Sequence, residues 1–339
     1  MTGDFHTRWF AIGLGLSICL LALLLWHVDL RQLGQIFLQV NGYMIAVPAF
    51  IALTTLPLRP WRWQMIFLPQ IRPKWLSCFG VLSVGNLANN LLPGRGGDLL
   101  RCFLMSGKHS VRGATMVLGT LALEKVLDGL ALLSVLLLSI YFFDPPQWFW
   151  QLAILSSAIF GIAVVLLALL RYRAGWLLKQ IRALSQRVHL ESLGEKVAVL
   201  FEHFADGLTA ISSPVQMTAL VLLTIAIWAA EAALIWGLAL TLGISLSLAA
   251  AAFVSASLGL GLMVPAGPAF IGTYEFFCVA ALGLFGVRAE SALALAVLMH
   301  AWMILATTIY GFVGLNVIGM KFSHLYDRQT YTLAHRGSV

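Results

Sequence analysis

The stretch Leu92-Pro93-Gly94-Arg95-Gly96-Gly97-Asp98-Leu99-Leu100-Arg101 places two arginines and an aspartate on a glycine-rich break inside apolar sequence. Guanidinium groups carry fixed charge and forked donors that match phosphate. Gly94, Gly96 and Gly97 let backbone amides approach an anion closely. A helix starting near Gly97 would aim its positive dipole end into the break. These features read as an anion site formed by Arg95, Arg101, Gly94 and Gly97. A plainer reading uses the same charges: Arg95 and Arg101 pair with Asp98 and only hold a hairpin together. Backbone freed by Pro93-Gly94 in such a setting needs partners in protein or water. Ionisable groups at that depth usually mark a pathway or a site.

Two further groups carry candidate chemistry. In Glu124-Lys125-Val126-Leu127-Asp128 the two acids are four apart and share one helix face. They suit proton or cation handling, or act as partners for Arg95 or Arg101. A buried ion-pair network that fixes helix packing is the structural alternative. Lys125 points to a neighbouring face. In Pro265-Ala266-Gly267-Pro268-Ala269-Phe270-Ile271-Gly272-Thr273-Tyr274-Glu275, Glu275 opens a helix and either caps it or faces a ligand. Glu231 has no local partner and is expected to face the bundle. His300 is either a proton relay or a neutral packing histidine. There is no phosphate-binding loop of the nucleotide type, no zinc-spaced His/Cys set and no Ser-His-Asp order, so no cofactor or metal is expected.

The surrounding composition says what must position these groups. The 339 residues are 60% hydrophobic and 10% charged, with mean hydropathy +0.91; a soluble domain carries about 25% charge. The expectation is an all-α polytopic membrane protein. The +7 charge reads as cytoplasmic loops facing anionic lipid rather than a nucleic-acid surface. The four cysteines are single and apolar in context. Spanning helices are predicted over Arg8–His27, Tyr43–Leu58, Ala114–Phe143, Trp148–Leu170, Val215–Thr241 and Ser291–Asn316. Leu76–Gly107 and Leu248–Gly286 are hydrophobic but broken midway. Their second arms, Gly97–Gly107 and Phe276–Gly286, are each only about 16 Å long, so both regions are predicted to be re-entrant.

With the N-terminus inside, 16 of the 21 lysines and arginines fall on the inner side, Arg59 and Arg62 among them; only Arg31 and Arg288 lie in outer loops. Both termini are then cytoplasmic. Helix, helix, hairpin, helix occurs twice in opposite orientations, with Pro93 and Pro265, like Asp128 and His300, 172 positions apart. This predicts six spans plus two re-entrant hairpins in an inverted repeat, a common transporter plan. The halves are 1–143, with its hairpin at about 76–107, and 144–320, with its hairpin at about 248–286. The tail, 321–339, is polar. A linker at about 171–213 carries the amphipathic stretch Gly175–His189, which suits either the lipid surface or packing on the protein. Asp29–Val40 is a weaker outer counterpart.

At these motifs the chain resembles the flippase-like family of the lysylphosphatidylglycerol synthase transmembrane region. The matching residues are Asn86, Asn90, Leu92-Pro93-Gly94-Arg95, Gly97-Asp98 and Arg101; then Glu124-Lys125 and Asp128; then Pro265, Gly267, Gly272 and Glu275. The resemblance runs from the first helix to Asn316. It implies a bacterial inner-membrane protein that moves a lipid between leaflets. Aminoacylated phospholipids, hopanoids and lipid-linked sugars are the substrates it suggests. The chain departs where Pro268 interrupts a Pro-Gly-Gly-x-Gly pattern and where His300 replaces an expected arginine. The family's aminoacyl-transfer domain has no counterpart here, so aminoacylation is not carried over.

The function expected from the sequence is transport of an anionic or phosphate-bearing lipid. Arg95, Arg101, Asn86, Asn90, Gly94 and Gly97 would bind it; Asp98, Glu124, Lys125, Asp128, Glu231, Glu275 and His300 would balance charge or couple transport. The alternatives are a headgroup or glycosyl transferase using Asp98 or Glu124 as base, and a non-catalytic partner of lipid-modifying enzymes. A homo-oligomer is compatible with all three.

Overall fold

A computed structural model describes residues 2–26, 28–39, 57–67, 73–91, 96–106, 111–139, 147–187, 189–208, 213–262 and 267–325, with Ala46, Pro48, Phe50 and Leu53 between them. Among these residues all regular structure is helical: α1 (Thr2–Trp26), α2 (Leu30–Gln39), α3 (Leu58–Phe67), α4 (Trp75–Leu91), α5 (Gly96–Ser106), α6 (Val111–Ser139), α7 (Gln147–Tyr172), α8 (Ala174–Arg187), α9 (Glu191–Leu208), α10 (Pro214–Thr241), α11 (Leu248–Gly261), α12 (Thr273–Gly283) and α13 (Ala289–Ile318).

Local sequence sets several of these ends. Ser213 caps α10 by accepting from the Gln216 amide at 3.1 Å, with Pro214 at the first helical position. Ser247 caps α11 through the Ala250 amide. Asp29 caps α2 through the amides of Arg31 and Gln32. Gly319, in the left-handed conformation, ends α13.

Phe149–Tyr172, Pro214–Thr241 and Ala289–Ile318 are long and apolar enough to cross a membrane. Residues Leu14–Trp26 and Leu30–Leu38 would make a fourth only as one span bent by 86°. That is fewer than the six predicted, for identifiable reasons. Most of Tyr43–Leu58 lies outside the described residues. Helix α6 has the length, 29 residues, but carries Glu124, Lys125 and Asp128 in its middle.

Helix packing repeats between α3–α6 and α10–α13. In each set the first helix packs on the second, the second on the third, the third on the fourth, and the first on the fourth. The sets also exchange contacts reciprocally: α4 lies on α13, and α11 lies on α6. Helices α3 and α10, the first of each set, meet each other. The largest apolar cluster joins α6 and α7 to α10–α13, with Phe149 stacked on Phe253 at 5.3 Å. Helix α9 docks on α6 where Gly119 and Gly207 bring the two backbones together. The linker therefore packs partly on the protein. A bridge from Arg182 to Glu195 at 2.9 and 3.0 Å ties α8 to α9. Its hydrogen bonds hold the Glu195 carboxyl below the ordinary glutamate range.

Candidate functional site

Two buried arginines organise the first half. Arg62 of α3 makes a forked contact with Asp128 of α6, Nη1 to Oδ1 at 2.6 Å and Nη2 to Oδ2 at 2.9 Å. It also donates to Thr224 Oγ1 at 3.1 Å and lies 3.9 Å from Glu124. Trp228 Nε1 donates to the same Asp128 oxygen at 3.0 Å. Arg101 of α5 reaches Glu124 at 2.9 Å and Asp98 at 3.6 Å, with its guanidinium stacked over Trp63 at 4.4 Å. The side chains of Arg62 and Arg101 are 1% and 2% exposed. Lys125 lies 3.8 Å from Asp98, which also accepts from Asn89 Nδ2 at 3.4 Å. Glu124 and Asp128 thus share a face as predicted, and that face meets arginines. Buried charges are tolerable because each faces an opposite one.

The open space lies elsewhere. A cavity of about 280 Å³ sits between the two helix sets. Its polar lining comprises Arg59, Asn86, Asn89, Asn90, Glu231, Ser255, Tyr274 and Thr307. Trp228, Phe270 and Trp302 supply aromatic walls. Arg59 and Glu231 face each other at 3.5 Å, with side chains 29% and 42% exposed. Asn90 Nδ2 donates to Thr307 Oγ1 at 2.6 Å across the halves. Asn89 Oδ1 is buried and has no hydrogen-bond partner. The lining therefore offers one partly exposed cation and one partly exposed anion.

Glu275 and His300 pin the second half's return helix. Glu275 Oε2 accepts from the Gly272 amide at 2.7 Å, the capping arrangement that was one of its two readings. Its other oxygen lies 2.5 Å from His300 Nδ1, and His300 Nε2 lies 2.7 Å from the Ala269 carbonyl. A carbonyl can only accept, so Nε2 carries a hydrogen. The pair Nδ1 and Oε1 then shares one further proton, as imidazolium with carboxylate or imidazole with carboxylic acid. Tyr274 stacks on the His300 ring at 4.4 Å. Ala269 and Phe270 have φ of 52° and 62°, an uncommon region for such residues. The His300 bond and the Gly267 amide donating to Ser17 Oγ at 2.9 Å hold this turn.

These positions revise several sequence expectations. Asn86, Asn90 and Glu231 line the cavity. Arg101 does not; it sits behind the lining in the ion-pair network. Gly97 is buried against α4, where an added Cβ would collide with the Gly85 carbonyl. It serves helix packing rather than access to an anion. Arg62 and Arg59, expected as inner-loop charges, are a core residue and a cavity residue of a helix that sequence reasoning missed. Their i, i+3 spacing beside Trp61 and Trp63 was the available signal. Pro93, Gly94, Arg95 and Pro265 lie outside the described residues.

Residues 10–311 match the family described as the lysylphosphatidylglycerol synthase TM region. The chain belongs to this family. The match takes in every cavity residue named above and both helix sets up to residue 311 of α13. No curated protein and no solved structure matches the chain significantly.

Proposed function

We propose that this multi-pass membrane protein moves a phosphate-bearing lipid between leaflets, holding the headgroup in the cavity between its two halves with Arg59 as the phosphate contact. The observation that carries this reading is the contrast among arginines. Arg62 and Arg101 are buried with both terminal nitrogens engaged. Arg59 is 29% exposed on the cavity wall, with Glu231 at 3.5 Å as its one carboxylate contact and its guanidinium 5.7 Å over the Trp228 ring. A phosphate can replace Glu231 there and gain a charge-assisted, forked contact. Arg95 is a second candidate for the same phosphate on sequence grounds.

The topology that goes with it is six spans and two re-entrant hairpins in an inverted repeat. The membrane is the bacterial inner membrane, with both termini cytoplasmic, in keeping with the lysine and arginine asymmetry. A transporter is favoured over a transferase because Asp98 and Glu124, the acids a transferase would use as base, are engaged by Lys125 and Arg101.

The test is lipid transfer by the purified chain in vesicles of phosphatidylglycerol and phosphatidylethanolamine. Arg59→Ala should lower transfer roughly tenfold or more, the loss expected of one charged hydrogen-bonding contact, and Arg59→Lys should recover only part of it. A folded Arg59→Ala protein with parental transfer would overturn the assignment.

A further inference from the structure

A second and larger space, about 470 Å³, opens between α6 and α10 over α11. Its walls are aliphatic, including Leu130, Leu138, Val221 and Ile225, and its floor is Ala252 and Ser255. Leu138 and Ile225 at its rim are 58% and 54% exposed, on the apolar surface that a membrane would cover. This groove shares Trp228 and Ser255 with the headgroup cavity, so those two residues form the partition between a polar space and an apolar one. Ser255 is 4% exposed, and its hydroxyl has no hydrogen-bond partner. That is unusual, since a helical serine can bond back to the carbonyl four residues earlier, as Ser134 does to Leu130. A buried hydroxyl left free at the boundary of two cavities is a contact awaiting an acceptor.

The geometry points to one acyl chain of a membrane phospholipid as the occupant of this groove, with the same lipid's phosphate across the Trp228–Ser255 partition in the headgroup cavity. Ser255 then donates to an ester oxygen, the polar atom that joins chain to glycerol and has to lie where the two spaces meet. The hydroxyls in its walls, of Ser134 and Thr224, already donate to the carbonyls of Leu130 and Leu220, so the lining favours an apolar ligand. Trp228 is the natural divider, because its indole nitrogen is tied to Asp128 while its ring faces both spaces. This inference rests on the transporter reading and adds to it the recognition of the chain and its ester.

The experiment uses the full chain in phosphatidylglycerol vesicles doped with a phospholipid bearing a diazirine at mid-chain, with labelled peptides mapped after illumination. Labelling should concentrate on 127–138 and 221–232 and exceed that of the equally lipid-facing Ile154, Leu155 and Ile162 of α7. Ala229→Phe, which fills the groove, should lower groove labelling roughly tenfold, as loss of about two methylenes of burial predicts. Ala226→Phe, on another face of α10, should not. Ser255→Ala should lower it less. If Ala229→Phe does not elute as a folded protein, Ala229→Leu replaces it. Even labelling of α7 and the groove, or groove labelling unmoved by either Ala229 variant, overturns the inference. The two readings fail separately. Parent protein that is labelled in the groove but moves no lipid overturns transport and leaves the chain site. Transfer with even labelling overturns the chain site alone.

Discussion

Arg62→Met removes the cation at the centre of the first half's network while keeping a side chain of similar length. The Arg62 side chain is 1% exposed and Asp128 is 14% exposed, so little solvent reaches the vacated charge. Asp128 would keep only the Trp228 indole, and Glu124 would keep Arg101 as its hydrogen-bonded ion-pair partner. Removing one partner of a buried pair costs about 3–5 kcal/mol, because the remaining charge is uncompensated. For a chain of this size that is a fall of roughly 5–10 °C in melting temperature. The double variant Arg62→Met, Asp128→Leu should recover most of the loss, since it leaves neither charge behind. Tryptophan fluorescence during thermal unfolding in detergent measures all three proteins. If Arg62→Met is as stable as the parent, or if the double variant is worse than the single, the network is not what holds α3 to α6. Arg59→Ala is the matched control: its half-exposed partner can be solvated, so its stability should change by at most about 1 kcal/mol.

Two more outcomes test the packing and the proton-sharing pair. Gly97→Ala should destabilise by about 1–3 kcal/mol through overpacking, because its Cβ meets the Gly85 carbonyl and Asn89; cysteine pairs bridging α4 and α5 should then cross-link less uniformly. Glu275→Gln should leave the fold intact within about 1 kcal/mol, since an amide can accept from the Gly272 amide and donate to His300 Nδ1. It removes the shared proton, so any acceleration of lipid transfer by an imposed pH gradient should disappear while exchange without a gradient persists. An unchanged gradient response would move the coupling role away from this pair.

The long apolar helices were legible because their signal is local. Val215–Thr241 and Ser291–Asn316 were placed within two residues of the observed α10 and α13 bounds. Glu275 as a cap was readable for the same reason: its partner is three residues away. Helix α3 was not. Leu58-Arg59-Pro60-Trp61-Arg62-Trp63 has the composition of a basic loop edge with interfacial aromatics, and its helical form depends on tertiary partners. Asp128 is 66 positions from Arg62, and Glu231 is farther still from Arg59. No spacing rule reaches such pairs. The motif around Pro93 marked Arg101 as a headgroup contact, whereas its guanidinium meets Glu124 and Asp98. Whether such a charge faces a ligand or a carboxylate is decided by which helix packs opposite.

The distribution of ion pairs also bears on how the halves can move. Arg62 with Asp128, Arg101 with Glu124, Lys125 with Asp98 and Glu275 with His300 all lie within one half. Among the described residues, the charge pair that joins the halves is Arg59 with Glu231, which is half-exposed and only 3.5 Å close. The two return helices are fastened alike but with opposite sign: in the first half a base on α5 meets an acid on α6, and in the second an acid on α12 meets a base on α13. Each hairpin is therefore bound tightly to its own long helix. Contacts between halves include the hydrogen bonds from Arg62 to Thr224, from Trp228 to Asp128 and from Asn90 to Thr307, but otherwise rest on close apolar packing. Where α4 crosses α13, Gly80 lies against Gly314 and Leu87 against Gly311, small surfaces whose packing is non-directional. Sliding at such a crossing breaks no ion pair, whereas opening a hairpin breaks one in low dielectric. A rigid-body shift of one half against the other breaks these hydrogen bonds but no buried ion pair, so it is cheaper than opening either hairpin, and it is the motion by which the proposed transporter would expose the Arg59–Glu231 wall to one side and then the other.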